Sequence, residues 1–512
     1  MERIENTAFP HVRSCVPEKC KPWLYVLMAC CFQLSGARYL GALNELIGAH
    51  GNMREDILMC MFANLSGMAI WFPMLFRMKF RFSNKFLLTA ASITVIITNL
   101  LTMYVTCLPV LLFCCFIEGV AKIQGTFECM SNIQLWMTPK RDMKVFFPCL
   151  HVIILSAICA QTLLSAYFGY IGCWQLMHWL VIGLQGGVLL LLTCFWKRWL
   201  MPQTLMGQPT PVPLRGIDWL GLLLWGSLLL ETALLLTYGE FYNWFRQSET
   251  WVLSGTILIT IGLIVARMFY QDRPYISPKV FTRFRYVKAI FLLIVFYEAI
   301  LGTEYVLEEL FKGHVLGYDT LTCTQPTWAV WIGNLAGCLF CLIWMKRVRH
   351  FTYIRLGIVG TCAVAMYIVL MYFRITPTLN MEALYLPLFC RGFAYACMSI
   401  LFMCALHDLM DFEHFFMGLM VFNSLHMVIG GCIGTSIYGH LLNYFGADSV
   451  ARSLRPMSLL ASDATTILCL SIKQIYGLVA FFCLALLIGF LCFNSPLRRD
   501  RHYLFMPLKR EK

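Results

Sequence analysis

The sequence predicts an all-α integral membrane protein of about 14 transmembrane helices, in two six-helix bundles with an inserted helix pair. Three observations carry that expectation. Of 512 residues, 59% are apolar and 13% are charged, about half of the roughly 25% charge that a water-wetted surface needs. Mean hydropathy is +0.70. The apolar residues also fall into successive runs of about 20, the length that crosses a hydrocarbon layer. The solvent of such a chain is lipid, so the bilayer is its first partner.

The runs lie at 23–44, 56–76, 86–106, 108–129, 145–166, 175–196, 217–238, 251–270, 288–308, 324–345, 353–373, 384–406, 415–442 and 474–494. Their connections are short and leave no room for a soluble domain. The first 22 residues are polar, and the first run leads to Arg38 and Glu45, not to a small-residue cleavage site. No signal peptide is expected there.

The formal net charge of +13 does not point to nucleic acid, because the basic residues stand in short clusters between apolar runs. Arg77, Lys79, Arg81 and Lys85 follow the second run; Lys140, Arg141 and Lys144 follow the fourth; Lys197 and Arg198 follow the sixth. Arg273, Lys279, Arg283 and Arg285 follow the eighth, Lys346, Arg347 and Arg349 the tenth, and Arg498, Arg499 and Arg501 the last. All are even-to-odd connections or termini, so they share one face. The positive-inside rule makes that face cytoplasmic, with both termini inside. One loop on it is acidic, His407-Asp408, Asp411 and Glu413-His414, and is read as pairing with its basic neighbours. The 24 cysteines lie mostly within apolar runs; even Cys338 and Cys341 have no histidine or carboxylate nearby, so they read as packing residues. No metal or other cofactor is expected, and no catalytic residue.

Two polar linkers set the organisation: proline-rich 199–216, and 271–287 with Asp272-Arg273-Pro274. The expected parts are a cytoplasmic segment 1–22, a six-helix bundle 23–198, a linker and inserted pair 199–272, a second six-helix bundle 273–494 and a basic tail 495–512. Small-residue spacings at Gly183/Gly187, Gly333/Gly337 and Gly430/Gly434 are read as close helix packing.

This plan resembles the major facilitator superfamily, in particular its fourteen-helix drug:proton antiporter-2 branch. Gly216-Ile217-Asp218-Trp219-Leu220-Gly221, with Tyr238-Gly239 and Trp244, is similar to the opening of that branch's inserted pair. Arg273-Pro274, Arg391-Gly392 and the stretch Ile429-Gly430-Gly431-Cys432-Ile433-Gly434 also resemble family positions. Elsewhere the sequence departs. Arg77 stands where the loop after helix 2 normally has Asp, Gln161 to Ala166 replaces the Gly-Pro-x-x-Gly-Gly motif of helix 5, and Ala121 replaces an Arg before Gln124-Gly125. The acidic residue of helix 1 is absent, with Arg38 close to its place. The resemblance implies a secondary transporter of the cell (inner) membrane, working by alternating access and exporting small amphiphilic or toxic compounds against proton entry: a multidrug efflux antiporter. It also implies a periplasmic adaptor partner. An uptake carrier of the same fold stays open, as does a membrane-embedded lipid-modifying enzyme. No Gly-rich phosphate loop with lysine is present, which disfavours ATP-driven pumping.

Ionisable groups at membrane depth cost at least about 2.5–3.5 kcal/mol, so each needs a partner, a cavity or a role. They are Arg38 in helix 1, Glu118 and Lys122 in helix 4, Glu298 and Glu304 in helix 9, and Arg391 in helix 12, with Glu231 apart in the inserted pair. The resemblance assigns the substrate cavity to helices 1, 4, 9 and 12. These six residues are therefore the candidate substrate and proton pathway, with Glu118 or Glu298 as the proton carrier. Glu118 and Lys122, four apart, also suit an intrahelical pair. His151, His178 and His426 stand singly in helices and are read as packing residues.

Overall fold

The computed structural model describes residues 9, 11–36, 42–50, 53–138, 142–198, 216–284, 286–347, 353–453 and 464–494. Long apolar helices account for nearly all of them. The first, α1 (Lys21–Gln33), is shorter than the expected run 23–44. It ends before Gly36, whose φ of 80° turns the chain, a conformation that glycine adopts without steric cost. A short helix, Leu43–His50, follows. Arg38 lies outside the described residues.

Among the described residues, thirteen further helices are long and apolar enough to cross a membrane: α2 (Arg54–Arg81), α3 (Asn84–Tyr104), α4 (Leu108–Met137), α5 (Met143–Tyr170), α6 (Gln175–Phe195), α7 (Trp219–Tyr238), α8 (Ser248–Tyr270), α9 (Val287–Val315), α10 (Thr320–Arg347), α11 (Tyr353–Arg374), α12 (Met381–Leu409), α13 (His414–Gly446) and α14 (Thr465–Gly489). With α1 they match the fourteen runs in order. The chain is a multi-pass membrane protein.

Among the N-terminal helices, α4 is central, packing on α1, α2 and α3, while α6 closes on α3. Among the C-terminal helices, α12 packs on α10 and α11, and α14 on α11 and α13. The two sets meet where α5 runs along α10 and α12. Trp331 on α10 donates its indole N–H to Ser156 Oγ on α5 at 2.8 Å.

The seam is also closed near both ends. On the face that carries the basic loops, Phe76 of α2 stacks edge-on against Phe412, just before α13, and Phe416 on it, with ring centroids 5.0 and 4.5 Å apart. This aromatic contact stands one residue from Arg77, where the resemblance would place an acidic lock. On the same face Lys144 reaches Asp408 at 3.5 Å and Arg283 reaches Asp411 at 3.3 Å, so the acidic loop pairs with basic neighbours. At the opposite face Arg54 of α2 bonds the Glu309 carboxylate of α9 at 2.6 Å and donates to the Tyr305 carbonyl.

The pair α7 and α8 lies beside this seam. Helix α7 packs on α2 and α13, and α8 packs on α7 while exposing Leu258, Ile259 and Phe269. Asp218 explains the motif around it. Its carboxylate caps α7 through Gly221 N–H at 2.8 Å, pairs with Arg267 of α8 at 2.6 Å and takes Tyr275 N–H at 3.1 Å. Glu231 accepts from Thr260 of α8 at 3.1 Å, so this carboxylate is satisfied within the pair.

Candidate substrate and proton site

Helix α9 builds the site. It is α-helical over Val287–Leu301 and then has wider π-helical turns at Glu304–Glu308 and Phe311–Val315. Such turns are rare and cluster at functional positions. Here they bring both Glu304 and Glu308 onto Arg391 of α12, at 3.0 and 2.6 Å. Lys312 lies 3.8 Å from Glu308, and Tyr367 of α11 donates its hydroxyl to Glu308. Glu308 is buried, whereas the Glu304 side chain is 49% exposed. Since the chain is surrounded by lipid, the space Glu304 opens onto decides its role.

That space is a cavity of about 1840 Å³ between the two sets of helices, lined by Lys122, Glu298, Glu304, Glu308, Arg391 and His426 among others. Its walls come from α1, α2, α4 and α5 on one side and α9 to α13 on the other. The expectation of four lining helices was too narrow.

About three turns from Glu308 along α9, a second cluster forms. Glu298 on α9 meets His426 on α13, Oε1 to Nδ1 at 2.6 Å. The other ring nitrogen, Nε2, faces the Tyr395 hydroxyl at 3.2 Å and Ser399 Oγ at 3.3 Å, and the imidazole stacks between Tyr395 and Phe422. The sequence explains the approach. A Cβ on Gly430 would stand 2.2 Å from Glu298 Cβ, and one on Gly434 would stand 2.6 Å from Gly302 Cα. Only glycines let α13 lie this close to α9. Helix α13 is itself π-helical at Ser424–Ile429, around the histidine. Gly333 and Gly337 seat α10 on α12 in the same way, but Gly183 has nothing within 4 Å and neither has Gly187. Close packing was the wrong reading for that last pair.

The six sequence candidates thus divide. Glu298, Glu304, Arg391 and Lys122 line the cavity. Glu118 does not. It is fully buried and accepts from Asn99 of α3 at 3.1 Å. Arg38 is outside the described residues. Three groups escaped the sequence reading. His426 was taken as packing because a lone histidine shows no partner in sequence. Glu308 stood at the edge of its run, although Glu304, Glu308 and Lys312 at four-residue spacing hinted at one face. Lys79 was assigned to a loop, yet it is buried inside α2 and reaches Glu128 of α4 at 3.8 Å. Asn84 donates to the same carboxylate at 2.8 Å, completing a buried polar knot near the basic face. His151 of α5 also lines the cavity, its Nδ1 2.9 Å from the Phe147 carbonyl of its own helix.

No protein-family model matches the chain, and no curated protein matches it. Solved structures do. The nucleoside transporter NupG, in a point-mutant form, superimposes with a TM-score of 0.55 at 13% identity, over 92% of this chain and 98% of that one. The human organic anion transporter MFSD10 (TETRAN) gives 0.55 at 11% identity, over 91% and 100%. The major facilitator superfamily proton:xylose symporter XylE, bound to 6-bromo-6-deoxy-D-glucose, gives 0.50 at 12% identity, over 90% and 94%. The chain has the major facilitator fold. The cavity lies between the two helix sets, with the Arg54–Glu309 contact towards one end and the Phe76 contacts towards the other.

Proposed function

We propose that the protein is a secondary transporter that alternates access to the cavity by rocking α1–α6 against α9–α14, with α7 and α8 riding beside the seam. The basic face is cytoplasmic by the positive-inside rule, which puts both termini inside. By its resemblance to the drug:proton antiporter-2 branch, the protein exports small amphiphilic or toxic compounds from the cell through its inner membrane, in exchange for protons. Glu298, Glu304, Arg391, Lys122 and Arg38 form the pathway.

The observation that carries the reading is the Glu298–His426 pair. Carboxylate and imidazole lie 2.6 Å apart, and both side chains line the cavity. A group of this kind suits proton exchange. Glu118 is the weaker carrier, because its carboxylate is buried and does not line the cavity. Arg54–Glu309 and the Phe76 cluster are the contacts that part in turn as each side opens.

The test uses protein reconstituted in vesicles holding a pH-sensitive dye. With a gradient imposed, adding amphiphilic candidates is expected to release protons down that gradient, and dissipating the gradient is expected to stop uphill movement of the compound. Movement indifferent to the gradient would refute proton coupling. No movement of any compound would refute transport.

A further inference from the structure

We infer that Tyr275, in the linker between α8 and α9, is a positioning residue for closure at the basic face: its hydroxyl holds a break in α2, and Asp218 of the inserted pair aims it. Its bearing on transport rests on the reading above. Helix α2 is α-helical to Ile70, tightens to a 3-10 turn at Phe72–Met74 and resumes at Leu75–Arg81. The Ile70 carbonyl would ordinarily accept an N–H from the residue three or four positions on. Pro73 has no N–H to give, and Met74 N–H turns to the Trp71 carbonyl at 2.9 Å. Ile70 is fully buried, so its carbonyl needs a donor from elsewhere. Tyr275 supplies it, donating its hydroxyl to the Ile70 oxygen.

The break stands beside the closure. Its 3-10 turn packs on α13, and just past it Phe76 meets Phe412 and Phe416. The direction that α2 takes after Ile70 therefore decides whether Phe76 reaches α13. Trp71 ties the same turn to Gln124 of α4 at 2.8 Å, within the N-terminal set, whereas the Tyr275 bond leads out of that set. The linker also touches the other side of the seam. Ser277 N–H points to Met417 Sδ of α13 at 3.4 Å.

The aim comes from the inserted pair. Asp218 takes Tyr275 N–H at 3.1 Å with the same carboxylate that caps α7 and pairs with Arg267 of α8. Gly221 makes room for this arrangement: a Cβ there would stand 2.2 Å from Asp218 Oδ2 and 2.9 Å from Tyr275 Cβ. Ile276 and Val280 are buried in the same core as Tyr275, so apolar contact fixes the linker as well. A line of bonds thus runs from α8 and α7 through Asp218 and Tyr275 to the α2 break. The pair braces the closed basic face, and a swing of α2 that opens this face strains or breaks the link.

The test is hydrogen–deuterium exchange of the full-length protein in lipid nanodiscs, comparing wild type, Tyr275→Phe, Asp218→Ala and the double variant, with elution profiles to verify folding. Tyr275→Phe removes one hydroxyl and leaves the Ile70 carbonyl unpaired. Exchange at 75–82 and 412–417 is expected to rise about fivefold or more, the scale of a buried acceptor left without its donor, while the far end of α2, 54–62, stays unchanged or slows. Tyr438→Phe removes a hydroxyl bonded to the Ala299 carbonyl at 2.8 Å and is the control, expected to leave 75–82 at the wild-type rate. Asp218→Ala is expected to speed the same segments and to add little to Tyr275→Phe, since both act through one bond. Wild-type exchange at 75–82 in Tyr275→Phe overturns the inference while leaving the transporter reading intact. A rise shared equally by 54–62 overturns it too, because that marks general loosening, and full additivity of the two variants overturns the role of Asp218. The expected local pattern in a protein that moves no compound in vesicles would keep the closure and sink the transporter reading.

Discussion

Replacing Arg391 with methionine removes the one cation shared by two carboxylates. Its contacts of 2.6 Å to Glu308 and 3.0 Å to Glu304 are each worth about 6 kcal/mol of gross attraction at an effective dielectric near 20. Desolvation consumes much of this. What matters is the state left behind: breaking one partner from a buried pair costs about 3–5 kcal/mol, because a lone charge stays buried. In Arg391→Met the lone charge is Glu308, 2% exposed, with Lys312 at 3.8 Å and Tyr367 as remaining support. That support puts the cost at the low end, about 3 kcal/mol. Glu304→Gln, by contrast, removes a half-exposed partner and leaves Arg391 on Glu308, at about 1 kcal/mol or less. Thermal denaturation in detergent, read as the fraction that still elutes as monodisperse protein, is expected to rank wild type and Glu304→Gln well above Arg391→Met. The double variant Arg391→Met/Glu308→Gln recovers part of the loss, since no carboxylate is stranded. Arg391→Met as stable as wild type, or a double variant worse than the single, would refute the reasoning.

Two other outcomes follow from single positions. His11, packed under the N-terminal helices, has its imidazole held down at about 3 by burial first, then by Lys79 and Lys197, with a hydrogen bond to Asn132 opposing them. The folded chain thus keeps the ring neutral while the unfolded chain protonates as pH falls through its ordinary value of about 6.5, so stability is lost on acidification. Wild type is expected to lose more thermal stability than His11→Gln between about pH 7.5 and 5; parallel losses would exclude the effect. At Gly434, a valine drives its Cβ against Gly302, 2.6 Å away, with an overpacking cost of about 1–3 kcal/mol. It also pushes α13 off α9 and parts Glu298 from His426. Gly183→Val, with nothing within 4 Å, is the matched control. Equal transport and yield in the two variants would show that the α9–α13 contact does not matter.

The fold was legible because lipid imposes a simple rule, about 20 apolar residues per crossing, and short loops left little choice of topology. The exception was helix α1, where run length alone missed the turn at Gly36. Glu298 and Glu304 of α9 were legible for the same physical reason, since charge within a long apolar run stands out against its background. Their partners were less so. His426 looks like any packing histidine until Gly430 and Gly434 are seen to carry it to Glu298, and that closeness is a property of two helices far apart in sequence. Lys79 was hidden by the basic cluster around it. Glu118 misled in the opposite direction: it shares a face of α4 with Lys122, yet its carboxylate is buried against Asn99 of α3 and does not line the cavity.

The central claim is that Glu298, with His426, carries the coupled proton, and one comparison tests it most directly. Protein carrying Glu298→Gln, reconstituted beside wild type, is assayed for gradient-driven accumulation of a transported amphiphile and for its downhill exchange between the two sides. The account expects accumulation to be lost and exchange to persist, because glutamine keeps the shape of the site yet cannot release a proton. Full pH-dependent accumulation in Glu298→Gln would contradict it.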